Sequence, residues 1–482
     1  MLFNSIDFAV FFPIVIALYW LLAKNIPVRN IFLLLTSYLF YGWWDYRFLS
    51  LIALSSIVDY VLGQQIHKAS EKSKKKLYLI LSLCVNLGLL VYFKYANFFI
   101  ETFVDAFSLF GSTIEASTLN IILPVGISFY TFQTLSYTID VYKGKLEPTK
   151  NIINFFAFVS FFPQLVAGPI ERASHLLPQF SVKHKFSYTL FKSGMLLMAF
   201  GLFKKMVIAD RLSVYVNEVF NNPTEYGGIE IIIGTIFFAF QIYCDFSGYS
   251  DIAIGIARTM GFDLMKNFDS PYFSKSITEF WRRWHISLST WFRDYVYIPL
   301  GGSKKGSIRT YANLFIVFVV SGLWHGAAMT FIIWGVIHGF VIVFEKASMS
   351  FRQKIYKGLG LDKKVFSNRL FFGIITFIIV CFAWIFFRAN SLNDAITLIS
   401  NMFTVEAVHN IYEIGWNRLE FDIAILSIVA LLSLEYINSK KNLYKLFNRQ
   451  SYAFRWVSYV VMILVILVYR SVTVGDFIYF QF

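Results

Sequence analysis

The sequence predicts an all-α, polytopic integral membrane protein with about eleven transmembrane helices (ten to twelve) and further re-entrant or interfacial helices. Three observations lead there. Of its 482 residues, 57% are hydrophobic and only 15% charged, with a mean hydropathy of +0.60. Apolar runs recur from Phe8 to Val468 with no long polar interval, so residues 1–482 read as a single membrane domain. The Lys and Arg residues behind the +14 net charge cluster in loops between those runs. That distribution excludes a soluble nucleic-acid-binding protein, the other class such a charge suggests.

A span needs about 20 mostly apolar residues. The first candidates are residues 8–22, 30–44, 48–62, 77–93, 121–141, 152–166, 188–207 and 229–244. Further on come 312–323, 327–344, 370–387, 423–437 and 456–469. Several are short, which suits tilted or re-entrant segments. Segments 123–133 and 161–171 are broken by Pro and Gly, and broken helices at membrane depth are tolerated where they line a cavity. The N-terminus lacks a basic region and carries Asp7, so the first helix is expected to be retained.

Basic loops set the orientation. Lys24 and Arg29, the run from His67 to Lys76, Lys304, Lys305 and Arg309, Lys346 to Lys364, and Lys440 to Arg449 all read as cytoplasmic. Both termini then fall outside, which favours an even count. Segment 389–422 also falls outside and has more acidic than basic residues. Cys84, Cys244 and Cys381 lie far apart in apolar runs and read as packing residues, not as disulfides or a metal cluster.

Three constellations carry chemistry. His325 lies in an apolar run, in Gly322-Leu-Trp-His-Gly326, which Gly335-Val-Ile-His-Gly339 echoes. The glycines alone indicate close helix packing. A histidine held inside such a contact is either positioned as a general base or is a neutral ring donating one hydrogen bond to a neighbouring helix, and Trp324 precedes it; His338 reads as structural. In the second, Trp281, Trp284, Leu288, Trp291 and Tyr295 recur at steps of three and four, predicting one continuous helix with an apolar face. Arg282, His285, Ser289 and Arg293 share another face, which equally suits an interfacial anchor holding lipid phosphate. In the third, Asp245 and Asp251 sit among hydroxyls at the end of an apolar run. Either they orient an arginine or line a polar cavity, or they cap a solvated helix end. Phosphate-binding glycine loops, His-Glu-x-x-His helices and Gly-x-Ser-x-Gly elbows are missing from the sequence, against a nucleotide-driven pump, a zinc protease and a serine hydrolase.

These motifs together resemble the membrane-bound O-acyltransferase family, in its alginate O-acetylase-like branch. The resemblance runs from Ser37-Tyr-Leu-Phe-Tyr-Gly-Trp-Trp44 through Leu123-Pro-Val-Gly-Ile-Ser-Phe129, Pro163-Gln-Leu-Val-Ala-Gly-Pro169 and Tyr243-Cys-Asp-Phe-Ser-Gly-Tyr-Ser-Asp251 to residues 281–302 and Trp324-His-Gly326. It implies helices around a central funnel in the bacterial cytoplasmic membrane. It also implies His325 as the essential membrane histidine and His285 as the second. The expected donor is acetyl-CoA, or a thioester on a carrier protein as in D-alanylation of teichoic acid, with no bound cofactor or metal. The expected acceptor is an extracytoplasmic polysaccharide hydroxyl, reached with an exported SGNH esterase-like partner. Arg282 and Arg293 would steady negative charge or hold a donor phosphate, and Ser289, Asp245 and Trp324 would contact substrate. The basic loops suit a docking acidic carrier and equally suit anionic lipid. A transporter or channel is the rival class, since broken helices and buried ionisable groups occur there too.

Overall fold

The computed structural model describes residues 1–108, 119, 121–404, 409–471 and 477–478, and among them every regular element is helical. In chain order the first helices are α1 (Ile6–Leu22), α2 (Ile26–Asp45), α3 (Leu49–Lys68), α4 (Lys72–Leu90), α5 (Ala96–Ser108), α6 (Ile127–Tyr142), α7 (Ile152–Ser160), α8 (Ala173–Leu176) and α9 (Tyr188–Leu202). Then follow α10 (Asp210–Asn221), the long α11 (Gly228–Thr259), the short pair α12 (Ile277–Arg283) and α13 (Ile286–Phe292), and the hairpin α14 (Ser307–His325) and α15 (Met329–Ala347). The last are α16 (Met349–Gly358), α17 (Phe366–Arg388), α18 (Leu392–Asn401), α19 (Arg418–Lys440), α20 (Leu443–Asn448) and α21 (Tyr452–Tyr469).

Seven helical stretches among the described residues are long and apolar enough to cross a membrane. Helix boundaries decide which expected spans these stretches contain. The expected spans at 30–44 and 48–62 fall in one apolar stretch, Ile26–Lys68. Helix α7 has nine residues, which at the α-helical rise makes about 14 Å against a hydrocarbon core of roughly 30 Å. Side chains facing outward from the long helices are apolar, as along α1 (Ile6, Val10, Ile14, Leu18) and α21 (Val457, Val460, Val461, Leu464). Lipid tails suit such a surface and water does not.

The described chain forms two compact units. One comprises Met1–Met198 with Ser250–Met265; the other comprises Ala199–Tyr249 with Lys266–Phe482. In the first, the Pro- and Gly-broken segments are irregular and buried, as the sequence predicts. Gly126 enters α6 at φ 77°, and a Cβ there would lie 2.9 Å from the Leu165 carbonyl oxygen. The Gln133 side-chain amide donates to the Phe158 carbonyl at 2.7 Å, supplying what the ended α7 cannot. Arg29 is fully buried, not a loop charge at the surface. Its guanidinium donates to the carbonyls of Phe180 and Val182, each at 2.7 Å. Asp59 accepts hydrogen bonds from Ser82, Asn86 and Thr138, tying α3, α4 and α6 together.

In the second unit helices α14 and α15 pack as a close hairpin. A Cβ on Gly322 would stand 2.3 Å from the Phe331 carbonyl oxygen, and one on Gly335 2.4 Å from that of Phe318. Both obstacles are backbone, so neither can swing away. The paired glycines therefore do what the sequence predicts: they let the two helices touch without side chains between them. Gly322→Ala is expected to destabilise the protein by about 1–3 kcal/mol, whereas Gly358→Ala, with no neighbour within 4 Å of its added methyl, should have a far smaller effect. Thermal unfolding of both variants in detergent checks the difference.

Candidate active site

The stretch after residue 276 is not one continuous helix. Helix α12 stops at Arg283, His285 takes a left-handed conformation (φ 44°, ψ 54°), and α13 starts afresh at Ile286. The sequence at this point has neither proline nor glycine, and its aromatic periodicity continues across the break. What holds the break is a loop twenty positions upstream. The Asn267 carbonyl accepts the Ile286 N–H at 2.9 Å, and its side-chain oxygen accepts the Ser287 N–H (3.3 Å) and hydroxyl (2.9 Å). The Asp269 N–H donates to the Arg283 carbonyl at 2.9 Å, and the Ser289 hydroxyl to that of Trp284 at 3.3 Å. Histidine enters the left-handed region more readily than most residues, which eases the turn.

The turn buries His285 completely. Its ring meets Phe246 edge-on at 4.6 Å, Trp324 at 5.9 Å and His325 at 6.3 Å between ring centres. His325 is the last residue of α14 and is also buried. It is walled by Trp324 (4.9 Å), Trp334 (5.0 Å) and Phe387 (5.3 Å). The structure thus brings together the two histidines and Trp324 in an aromatic enclosure. Trp281, Trp284, Leu288 and Trp291 are buried despite the break. His338 accepts a hydrogen bond on Nδ1 from the Trp281 indole N–H at 3.3 Å, in keeping with a structural role.

The remaining expected site residues lie differently. Arg282 and Arg293 are on the exposed side. Arg293 donates to Asp294 at 2.8 and 3.2 Å, and that hydrogen-bonded carboxylate raises its guanidinium above the ordinary range. Asp245 is buried, and its cation is a lysine where the sequence suggests an arginine. Lys205 Nζ stands 2.6 Å from Asp245 and 2.8 Å from Asp210, and the second Asp245 oxygen accepts the Ile478 N–H at 2.7 Å. Sequence reasoning missed Lys205, which is hidden at the end of an apolar run. It missed Asn267 too, which no local pattern marks. No group of three or more metal-binding side chains exists among the described residues.

Removing the Asn267 side chain should loosen the turn. Asn267→Ala is expected to cost about 1 kcal/mol of stability, in the range of a lost helix cap, and Ser287→Ala less, because only one of the two side-chain bonds goes. Equilibrium unfolding midpoints of the two variants check the order.

Comparison with known proteins places the chain in a family. The membrane-bound O-acyltransferase family model matches residues 149–387, which include both histidines. A probable alginate O-acetylase of Pseudomonas putida is 43% identical over 411 residues, 84% of this chain and 80% of that protein. A peptidoglycan O-acetyltransferase of Helicobacter pylori is 36% identical over 438 residues, 85% of this chain and 81% of its own length. A teichoic acid D-alanyltransferase of Bacillus subtilis is 30% identical over 286 residues, 56% of this chain and 69% of its own. A multi-pass helical protein with this extent of likeness belongs to the membrane-bound O-acyltransferase family and is an O-acyltransferase.

Proposed function

We propose that the protein moves an acetyl group from a cytoplasmic thioester, acetyl-CoA or an acylated carrier, to a hydroxyl that leads to an extracytoplasmic polysaccharide, across the bacterial cytoplasmic membrane. The observation that carries this reading is the buried pair His285–His325, 6.3 Å apart between ring centres. A thioester is already activated, so the site must supply a base for the acceptor hydroxyl. His325 takes the hydroxyl proton as that oxygen attacks the thioester carbonyl. The C–O bond forms, the C–S bond breaks, and the departing thiolate takes the proton back from the His325 imidazolium to leave as the thiol. His285 orients the acceptor or donates a hydrogen bond to the carbonyl oxygen as charge gathers there. Trp324, against both rings, fixes their relative tilt.

Acetyl is favoured over D-alanyl because the acetylating relatives are more alike and over more of the chain. The acceptor is a glycan hydroxyl, and an exported esterase-like partner completes the transfer. The funnel expected of the family gives the donor its cytoplasmic entry and the acceptor its opposite one.

Purified protein given labelled acetyl-CoA tests the reading. His325→Ala should lower transfer by roughly 10²–10⁴-fold, with the folded fraction unchanged. Wild-type transfer in that variant would remove His325 from the chemistry. His285→Ala is expected to show a comparable loss in kcat. Label transfer from a D-alanylated carrier but not from acetyl-CoA would replace the acetyl donor in this scheme.

A further inference from the structure

Helix α12 has seven residues, and its first backbone N–H groups need acceptors from outside the helix. The Ser276 hydroxyl takes that of Glu279 at 3.0 Å. The other two come to a residue far along the chain. Glu345, in the last turn of α15, accepts the Ile277 N–H at 2.7 Å on one carboxylate oxygen and the Thr278 N–H at 3.0 Å on the other. The Thr278 hydroxyl adds a third bond at 2.7 Å. The carboxylate is thus bidentate on a helix start, where negative charge is favoured. Its own backbone is braced as well: the Arg352 guanidinium donates to the Glu345 carbonyl and, at 3.0 Å, to the Ser348 hydroxyl.

From this arrangement we infer that Glu345 is a positioning residue for acyl transfer, setting α12, and so His285, against the hairpin that carries His325. The inference rests on the histidine-pair reading. Glu345 and His338 stand seven positions apart on α15, two helical turns on one face. Both grip α12: Glu345 at its first residues, His338 through the Trp281 indole. Two grips along one helix fix its slide and its rotation. Helix α15 is in turn seated on α14 by the glycine contact, and α14 ends at His325. With the Asn267 turn holding His285 to α12, these contacts fix how far α12 stands from the hairpin, and Glu345 supplies the carboxylate among them. Neither Gln nor Ala reproduces it. The Gln amide presents one acceptor and one donor where two acceptors are needed, and Ala presents nothing.

The experiment compares kcat and KM for the thioester donor in wild type, Glu345→Gln, Glu345→Ala, Thr278→Val and His285→Ala. The folded fraction is followed by size-exclusion chromatography. We expect graded losses in kcat of roughly tenfold for Glu345→Gln and on the order of 100-fold for Glu345→Ala, the scale of an ångström-sized misplacement. Thr278→Val, which removes one bond of three, should lie closest to wild type. Donor KM and the pH dependence of kcat should stay unchanged, because Glu345 touches neither donor nor transferring proton. A kcat that falls only in proportion to folded protein, or a loss confined to KM, would reduce Glu345 to a structural residue and overturn the inference. Full activity in Glu345→Ala beside an inactive His285→Ala would overturn it alone. A fully active His285→Ala would overturn the histidine-pair reading and this inference with it.

Discussion

A helix start exposes amide hydrogens that its own turns cannot satisfy, and in an apolar interior water does not make up the deficit. The placement of the histidine pair depends on how this constraint is met twice within ten residues. Breaking one aromatic helix into α12 and α13 creates a second helix start beside His285. Asn267 satisfies that one, and Glu345 satisfies the first. Without such partners the continuous helix would be the cheaper structure. His285 would then lie on a surface stripe with Arg282 and Arg293 instead of facing His325.

The enclosure around the pair is made of rings. Phe246, Trp324, Trp334 and Phe387 supply large, stiff surfaces with few rotamers, so each imidazole is held on more than one side. Charge in the same unit is handled separately. Lys205 lies between Asp210 and Asp245, so ions that would be ruinous singly are kept in mutual contact. One Asp245 oxygen is left to hold the Ile478 amide. The unit thus keeps a pair of histidines walled by rings and a separate knot of ions that anchors backbone.

Much of this was legible from residues alone. Hydropathy marked the membrane class. The Gly322 and Gly335 spacing marked a close helix contact, and Pro and Gly marked the irregular segments around Gly126 and residues 161–171. Each is a local property, readable because backbone sterics and burial act over a few residues. What was not legible is non-local. The periodicity of Trp281, Trp284, Leu288 and Trp291 survives the break, since both halves bury the same face, and so it hides the break. Glu345 and Asn267 act on partners remote in sequence and look like ordinary helix-end and loop residues. Lys205 looked like the end of an apolar run because its two carboxylate partners come from other turns of the chain. Crossing length is non-local too: an apolar run ended by a short helix has the composition of a span without its length.

The glycine contact in the hairpin has a mechanical meaning. Helices separated by side chains can shear, because rotamers exchange and the gap refills. Between Gly322 and Gly335 there are no side chains to exchange, only backbone against backbone. The pair behaves as a stator. His325, the last residue of α14, rides on that backbone contact and shares its stiffness.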